Sequence, residues 1–210
     1  MKIKKIDADL SATQVEALLD ATTKEQIKEV NWPEEYPDLP HVSFTLAHDG
    51  DNIYIKYWVE EQASLARITQ DYGDVYTDSC VEFFISFGSE GYYNIEFNAI
   101  GYGLMSHKIR REDTEWAPKE LLSSIERYPS LPRKEFEETH LDNWSLMLKL
   151  PKEIFFKENL TTLNGVEAKA NFYKCGDNLK TPHFVSWGKI EAEAPNFHLP
   201  AFFKAISFEK

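Results

Sequence analysis

The feature that most constrains the fold is a pair of alternating runs. They are Cys80-Val81-Glu82-Phe83-Phe84-Ile85-Ser86-Phe87 and Tyr92-Tyr93-Asn94-Ile95-Glu96-Phe97-Asn98-Ala99-Ile100, separated by Gly88-Ser89-Glu90-Gly91. Apolar residues at every second position, with turn formers between the runs, predict a β-hairpin. Alternation puts Val81, Phe83, Ile85 and Phe87 on one face and Glu82, Phe84 and Ser86 on the other. On the partner strand Ile95, Phe97 and Ala99 turn to the core and Asn94, Glu96 and Asn98 away from it. The faces agree only if paired residue numbers sum to an even number, which requires an odd loop. A three-residue loop sets Glu82 across from Glu96, which like-charge repulsion disfavours by about a few tenths of a kcal/mol or more. A five-residue loop, pairing Glu82 with Asn98 and Phe84 with Glu96, is therefore expected.

A second hairpin is predicted around Asp49-Gly50-Asp51-Asn52, with Val42, Phe44 and Leu46 facing Ile53, Ile55, Tyr57 and Val59. Further strands are expected over 103–109, 123–128, 144–150, 166–175, 183–187 and 205–208, and a helical turn over 151–156 opened by Pro151. Near the N-terminus, Ser11 with Gln14, or Thr13 with Glu16, offers a capping box ahead of Val15, Leu18 and Leu19, predicting a helix over 12–20. A second helix is expected over 24–30, stopped by Trp32-Pro33. The charge-rich stretch 110–119 reads as a long exposed loop. Many short strands with little helix imply an all-β fold, an antiparallel β-sandwich of jelly-roll or immunoglobulin type with a short N-terminal helical segment. With no internal repeat and no Gly/Ser linker, 1–210 is expected to be one domain, with 1–40 as a helical strap and 41–210 as the sandwich.

Charge narrows the partners. The formal net charge of −12 argues against nonspecific binding to nucleic acid or to anionic membranes. No apolar stretch reaches the roughly 18 residues of a membrane span, and no apolar signal core follows Lys2, Lys4 and Lys5. The chain as written is expected to be cytoplasmic, or to have been trimmed of an export signal. Cys80 and Cys175 are too few for a disulfide framework and their spacing suggests no metal site, so both read as reduced core residues. The six histidines likewise show no metal-ligand spacing, and no nucleophile-elbow, Walker or dinucleotide-binding pattern occurs.

The face carrying Glu82, Glu96, Asn94 and Asn98 is the strongest functional signal. Carboxylates and amides form paired hydrogen bonds with vicinal hydroxyls, and aromatic planes cover the C–H face of a sugar. The 14 Phe, 10 Tyr and 5 Trp exceed what a minimal core needs. Two other readings of this face stay open. It is an ordinary solvated surface, or Glu82 and Glu96 are a glycosidase pair, about 5 Å apart for retention or about 6.5 to 9.5 Å for inversion. A catalytic acid needs an enclosing apolar pocket to raise its pKa, and an open sheet face offers none.

Asp78-Ser79-Cys80-Val81-Glu82-Phe83-Phe84 followed by Tyr92-Tyr93-Asn94-Ile95-Glu96-Phe97-Asn98 resembles the family 9 carbohydrate-binding modules, most closely the family-9-like proteins of gut Bacteroidetes. Trp144-Ser145-Leu146 through Ile154-Phe155, Phe184-Val185-Ser186-Trp187 and the tail from Pro195 to Phe203 extend the resemblance over about 40–208. It implies a β-sandwich that binds sugar without hydrolysing it, two aromatics clamping a terminal sugar whose hydroxyls bond to Glu, Arg, Gln and Asn side chains. On these positions Glu82 matches the family's Glu, Tyr76 and Phe197 fall at or near the stacking positions, and Asn171 and Tyr173 fall near the amide-bearing strand. Asn98 and His198 complete the expected set. Glu96 stands where an Arg is expected, so the hydrogen-bonding pattern does not transfer intact, and Trp187 reads as core. No cofactor is expected. The resemblance allows a structural calcium, but the acidic turn Asp49-Gly50-Asp51 is too generic to assign it. The expected partner is a carbohydrate, and loss of sugar binding in a structural domain is the remaining alternative.

Overall fold

The computed structural model describes residues 1–88, 90–140 and 143–210; Ser89 of the predicted hairpin turn lies outside them. In chain order the first strands are β1 (Lys2–Lys5), β2 (Glu25–Ile27), β3 (Glu29–Val30), β4 (His41–His48), β5 (Asn52–Glu60) and β6 (Ser64–Ala66). They are followed by β7 (Cys80–Ser86), β8 (Tyr92–Asn98), β9 (Gly103–Lys108), β10 (Thr114–Trp116) and β11 (Glu126–Pro129). The last are β12 (Phe136–Thr139), β13 (Trp144–Pro151), β14 (Glu167–Cys175), β15 (Phe184–Ser186) and β16 (Lys204–Phe208). Two helices, α1 (Ala12–Ala21) and α2 (Lys119–Ser124), interrupt them. Neither is long and apolar enough to cross a membrane.

Two layers result. One runs β10-β9-β8-β7-β14-β16 and the other β4-β5-β13-β11, with β1 pairing parallel to both β16 and β4 at the shared edge. Among the described residues all other ladders are antiparallel. The layers close on aromatic rings: Phe172 of β14 stacks on Phe44 of β4 at 3.9 Å and on Phe83 of β7 at 4.9 Å. Trp187 meets the same rings edge-on at 5.9 and 5.7 Å, as a core residue. Each such buried aromatic contributes roughly 1.5 to 3 kcal/mol by leaving water.

The N-terminal segment departs from expectation. The helix is present and capped by Ser11, whose side chain accepts from the Gln14 amide while Gln14 returns a bond to the Ser11 amide. The second helix is absent: 25–27 and 29–30 are short strands that pair with β4 and β15. Its weak helical pattern yields to unsatisfied sheet edges, which reward extended backbone with a full ladder. Strand β1 hides behind lysines, and only Ile3 turns into the core. The strand expected over 123–128 splits into α2 and β11, and the expected loop over 110–119 contains β10. In the β4–β5 hairpin, Asp49 accepts from the backbone amides of Asp51 and Asn52 and from the side chains of Asn52 and Tyr54. Its carboxylate is consumed by the turn and does not fit a structural calcium.

The central hairpin corrects the expected register. Glu82 stands opposite Glu96 and Phe84 opposite Asn94, while Asn98 pairs with Cys80. Residues 87–91 connect the strands, with Gly91 at φ +101°, where a Cβ would lie 2.5 Å from the Lys108 carbonyl oxygen. The expectation failed because it assumed ionised carboxylates. Both glutamates are buried, and desolvation is the main cause that raises Glu96 to about 7 and Glu82 well above the ordinary carboxylate range. Neutral acids carry no like-charge penalty, and inner-face packing of Val81, Phe83, Ile85, Ile95 and Phe97 then sets the register.

At one end of the sandwich a lysine is fully buried. The Lys174 ammonium lies 2.7 Å from Glu61 and 2.7 Å from Nε2 of His183, and Glu61 also accepts from Trp144 Nε1 at 2.7 Å and Ser64 Oγ at 2.9 Å. Burial alone would raise Glu61, but Lys174 and His183 hold it below its usual value, while burial and Lys174 push His183 down to about 3.

Two predictions follow from these buried groups. Lys174→Met strands the Glu61 carboxylate and is expected to cost about 3 to 5 kcal/mol in urea unfolding, with partial recovery on adding Glu61→Gln; a loss below about 1 kcal/mol would show the pair to be dispensable. For Glu96, an acid raised on folding, stabilisation is full below the unfolded value of 4.5 and is lost as pH rises through about 7. The histidines lowered by burial act in the opposite direction, so the readout is the difference between wild type and Glu96→Gln. That difference is expected to shrink by up to about 1.4 kcal/mol per pH unit over this window. A difference independent of pH would mean that Glu96 is ionised in the folded protein.

Candidate functional site

The outer face of β7, β8 and β14 is not an open sheet surface. Cys80, Phe84, Tyr92, Leu104, Tyr173 and Cys175 pack there with Trp32, Ile190, Phe197 and Phe203 from outside the layer. This second apolar layer covers part of the face and leaves a cavity of about 310 Å³ beside it, at the lower end of the range for small-ligand sites. Glu82, Asn94, Glu96, Leu104 and Cys175 line it from the sheet, Lys108, Arg111 and Trp116 from the end of β9 and the segment after it, and Tyr76 and Asp177 from the segments before β7 and after β14. Phe184, Pro195, Asn196, Phe197 and His198 complete the wall.

The floor is polar and buried. Asn94 donates to Glu96 Oε1 at 2.7 Å and accepts from Ser106 Oγ, which fixes the amide orientation. The Cys175 thiol donates to Glu82 Oε1 at 3.1 Å. Burial lifts Asp177 to about 6 and is the first cause lowering His198 to about 4, so His198 is neutral near pH 7. Its Nδ1 lies 3.1 Å from the Tyr92 hydroxyl. Lys108, held by the Arg111 carbonyl and the Thr114 hydroxyl, stands on the same wall, and its charge works against the burial that raises Glu96. Protonated carboxyls and amides both donate and accept, the repertoire that matches hydroxyl groups.

The walls supply rings. Tyr76, on a helical turn over Val75–Thr77, is 38% exposed, and Trp116 on β10 is 53% exposed. The Tyr76 carbonyl accepts from the Asp177 amide at 3.3 Å and lies 3.5 Å from the Cys175 sulfur, which ties this turn to the end of β14. Trp116 rests edge-on against Tyr72 at 6.0 Å. Phe197 stacks on Tyr173 at 4.2 Å with 12° between planes, and its remaining exposed surface is small.

Of the sequence-expected residues, Tyr76, Glu82, Glu96, Phe197 and His198 come together around the cavity. Asn98, Asn171 and Tyr173 are not among its lining residues. Asn98 donates to Asp78 and to the Ile68 carbonyl and accepts from the Tyr102 amide, pinning loops beneath β8. Asn171 clasps the backbone of Gly188 through both ends of its amide, at 3.0 and 2.7 Å. Tyr173 supports Phe197 from behind, its hydroxyl donating to the Phe197 carbonyl at 3.2 Å. Alternation grouped Asn94 with Glu82 and Glu96 on one face, but the expected binding set did not include it. That set also missed Lys108, Arg111, Trp116, Cys175 and Asp177, which carry no local signal. Two cations, Lys108 and Arg111, thus line the cavity from β9 and the turn after it.

A profile of carbohydrate-binding family 9 matches residues 13–208. A crystal structure of a candidate carbohydrate-binding protein from Bacteroides uniformis is 40% identical, with a TM-score of 0.94 over 100% of this chain and 98% of that one. Two structures of a family 9 module from Caldicellulosiruptor kristjanssonii, one with glucose and one with cellotriose, share the fold at 11% identity. Their TM-scores are 0.63 and 0.62, over 100% of this chain and 95% and 93% of theirs. No curated protein matches. The profile spans both layers and the cavity between β7 and the C-terminal tail, and the chain therefore belongs to carbohydrate-binding family 9, a family of non-catalytic binding modules.

Proposed function

We propose that the cavity on the outer face of β7 and β8 binds the terminal sugar of an uncharged glycan. The observation that carries this reading is the convergence of Glu82, Glu96 and Asn94 at the floor of a cavity walled by Tyr76, Trp116 and Phe197. In this arrangement the buried acids and the amide exchange hydrogen bonds with ring hydroxyls, and the exposed faces of Tyr76 and Trp116 cover the apolar C–H surface. Buried polar groups that a hydroxyl satisfies are left unpaired by a deoxy analogue, which gives the site selectivity as well as affinity. Lys108 and Arg111 stand on the wall where a hydroxyl or ring oxygen accepts a bond. Asn98, Asn171 and Tyr173 act behind the lining, by holding the loops and the Phe197 ring that shape it. Glucose and cellotriose, found in the two family 9 complexes, are the first ligands to try. An uncharged ligand is also consistent with the formal charge of −12, which disfavours nucleic acid.

Calorimetry with glucose, cellobiose and cellotriose, followed by a wider glycan panel, tests the placement. Tyr76→Ala and Trp116→Ala are each expected to weaken binding several-fold, about 1 kcal/mol per lost ring, while leaving the unfolding midpoint within error. Sugar should also shift the tryptophan emission of wild type and not that of Trp116→Ala. A glycan that binds wild type and both variants equally would remove the cavity from the reading.

A further inference from the structure

Beside the floor of the cavity, and sharing Glu82 with it, lies a pair of thiols that binding of hydroxyl groups leaves unexplained. Cys80 and Cys175, 95 positions apart in sequence, are directly opposed on the antiparallel strands β7 and β14. Glu82 follows two residues after Cys80 and so shares its face. The two sulfur atoms and a Glu82 oxygen all lie within 4.8 Å of one another, and the Cys175 sulfur is 3.1 Å from that carboxyl. All three residues are buried, yet Glu82 and Cys175 reach the cavity wall. We propose that Cys80, Cys175 and Glu82 form a binding site for a thiophilic divalent cation of the zinc class, entered from the cavity.

The geometry and the donor set support the same ion. Tetrahedral zinc, with Zn–S of about 2.3 Å and Zn–O of about 2.0 to 2.2 Å, holds its ligand atoms roughly 3.5 to 3.8 Å apart. The present ligand atoms, all within 4.8 Å of one another and 3.1 Å apart for Cys175 and Glu82, lie close to that spacing. Thiolate pairs select zinc over calcium and magnesium, which take oxygen ligands. Loading exchanges three protons, from two thiols and one carboxyl, for one dication and leaves a net charge of −1, beside Lys108 and Arg111 on the same cavity wall. Three protein ligands leave one coordination position, on the open side, for solvent or a bound hydroxyl. A disulfide is the competing fate of the two sulfurs. It would remove the thiol hydrogen that faces Glu82 Oε1 at 3.1 Å.

The test uses the full chain with both thiols verified as reduced. Titration with Co²⁺ is expected to give thiolate-to-cobalt charge-transfer absorption at one ion per chain, abolished by Zn²⁺ competition and unaffected by excess Mg²⁺ or Ca²⁺. Cys80→Ala and Cys175→Ala should each lose the band, and Glu82→Gln should weaken binding at least about tenfold. In case the alanine variants fail to fold, X-ray absorption of zinc-loaded wild type provides a second readout, with two sulfur scatterers expected at about 2.3 Å. A reduced chain with no charge-transfer band, a first shell of nitrogen and oxygen alone, or an equal band in folded alanine variants would each overturn the proposal. So would conversion of the two thiols to a disulfide in zinc-loaded protein.

Discussion

The structure depends on the burial of β7 and β8 on both faces. One face closes the sandwich through Val81, Phe83, Ile95 and Phe97; the other lies beneath Trp32, Phe197 and Phe203. A strand covered twice cannot carry ionised side chains cheaply, because removing a carboxylate from water costs more than nearby dipoles return. Glu82 and Glu96 are consequently held towards their neutral forms, and a pairing that would repel in water becomes compatible with the ladder. The same cover that neutralises the acids leaves the cavity in which they are reached. Site chemistry and strand register therefore share one cause.

That cover is itself anchored by polar groups buried away from the cavity. Asn171 fastens Gly188, Trp32 Nε1 donates to the Ala192 carbonyl at 2.8 Å, and Asn31 accepts from the Ile190 amide at 2.8 Å. These bonds fix the course of the chain from β15 towards Phe197, so the aromatic wall sits on a satisfied backbone rather than on packing alone. At the end of the sandwich, Lys174, Glu61 and His183 form a second buried polar cluster. Lys174 and Cys175 are neighbours on β14 with side chains on opposite faces. One strand thus carries a buried ion pair towards the core and a thiol towards the cavity.

The sequence made a large part of this legible, for identifiable reasons. The two hairpins, β13, β14 and the capped helix all have patterns whose period is local, and each is where the pattern put it, within a residue or two. The grouping of Glu82, Asn94 and Glu96 on one face follows from alternation alone. What alternation does not contain is whether a face is wet. Read as solvated, the face implied ionised glutamates and hence the wrong register. Strand β1 escaped notice because three of its four residues are lysines, and its pairing with β16 and β4 is decided by the opposite end of the chain. Trp116 and Asp177 were missed because each enters the site from a short segment with no pattern of its own.

By itself, the sequence determined the layered all-β architecture, the faces of its central strands and the family resemblance, since these rest on residue periodicity and short motifs that survive without knowledge of distant contacts. Only the tertiary structure decided the hairpin register, the protonation of the two glutamates, the meeting of Cys80 with Cys175 and the aromatic walls of the cavity. Each of these depends on which remote segment excludes water from a given atom, and burial is a property of the folded chain as a whole.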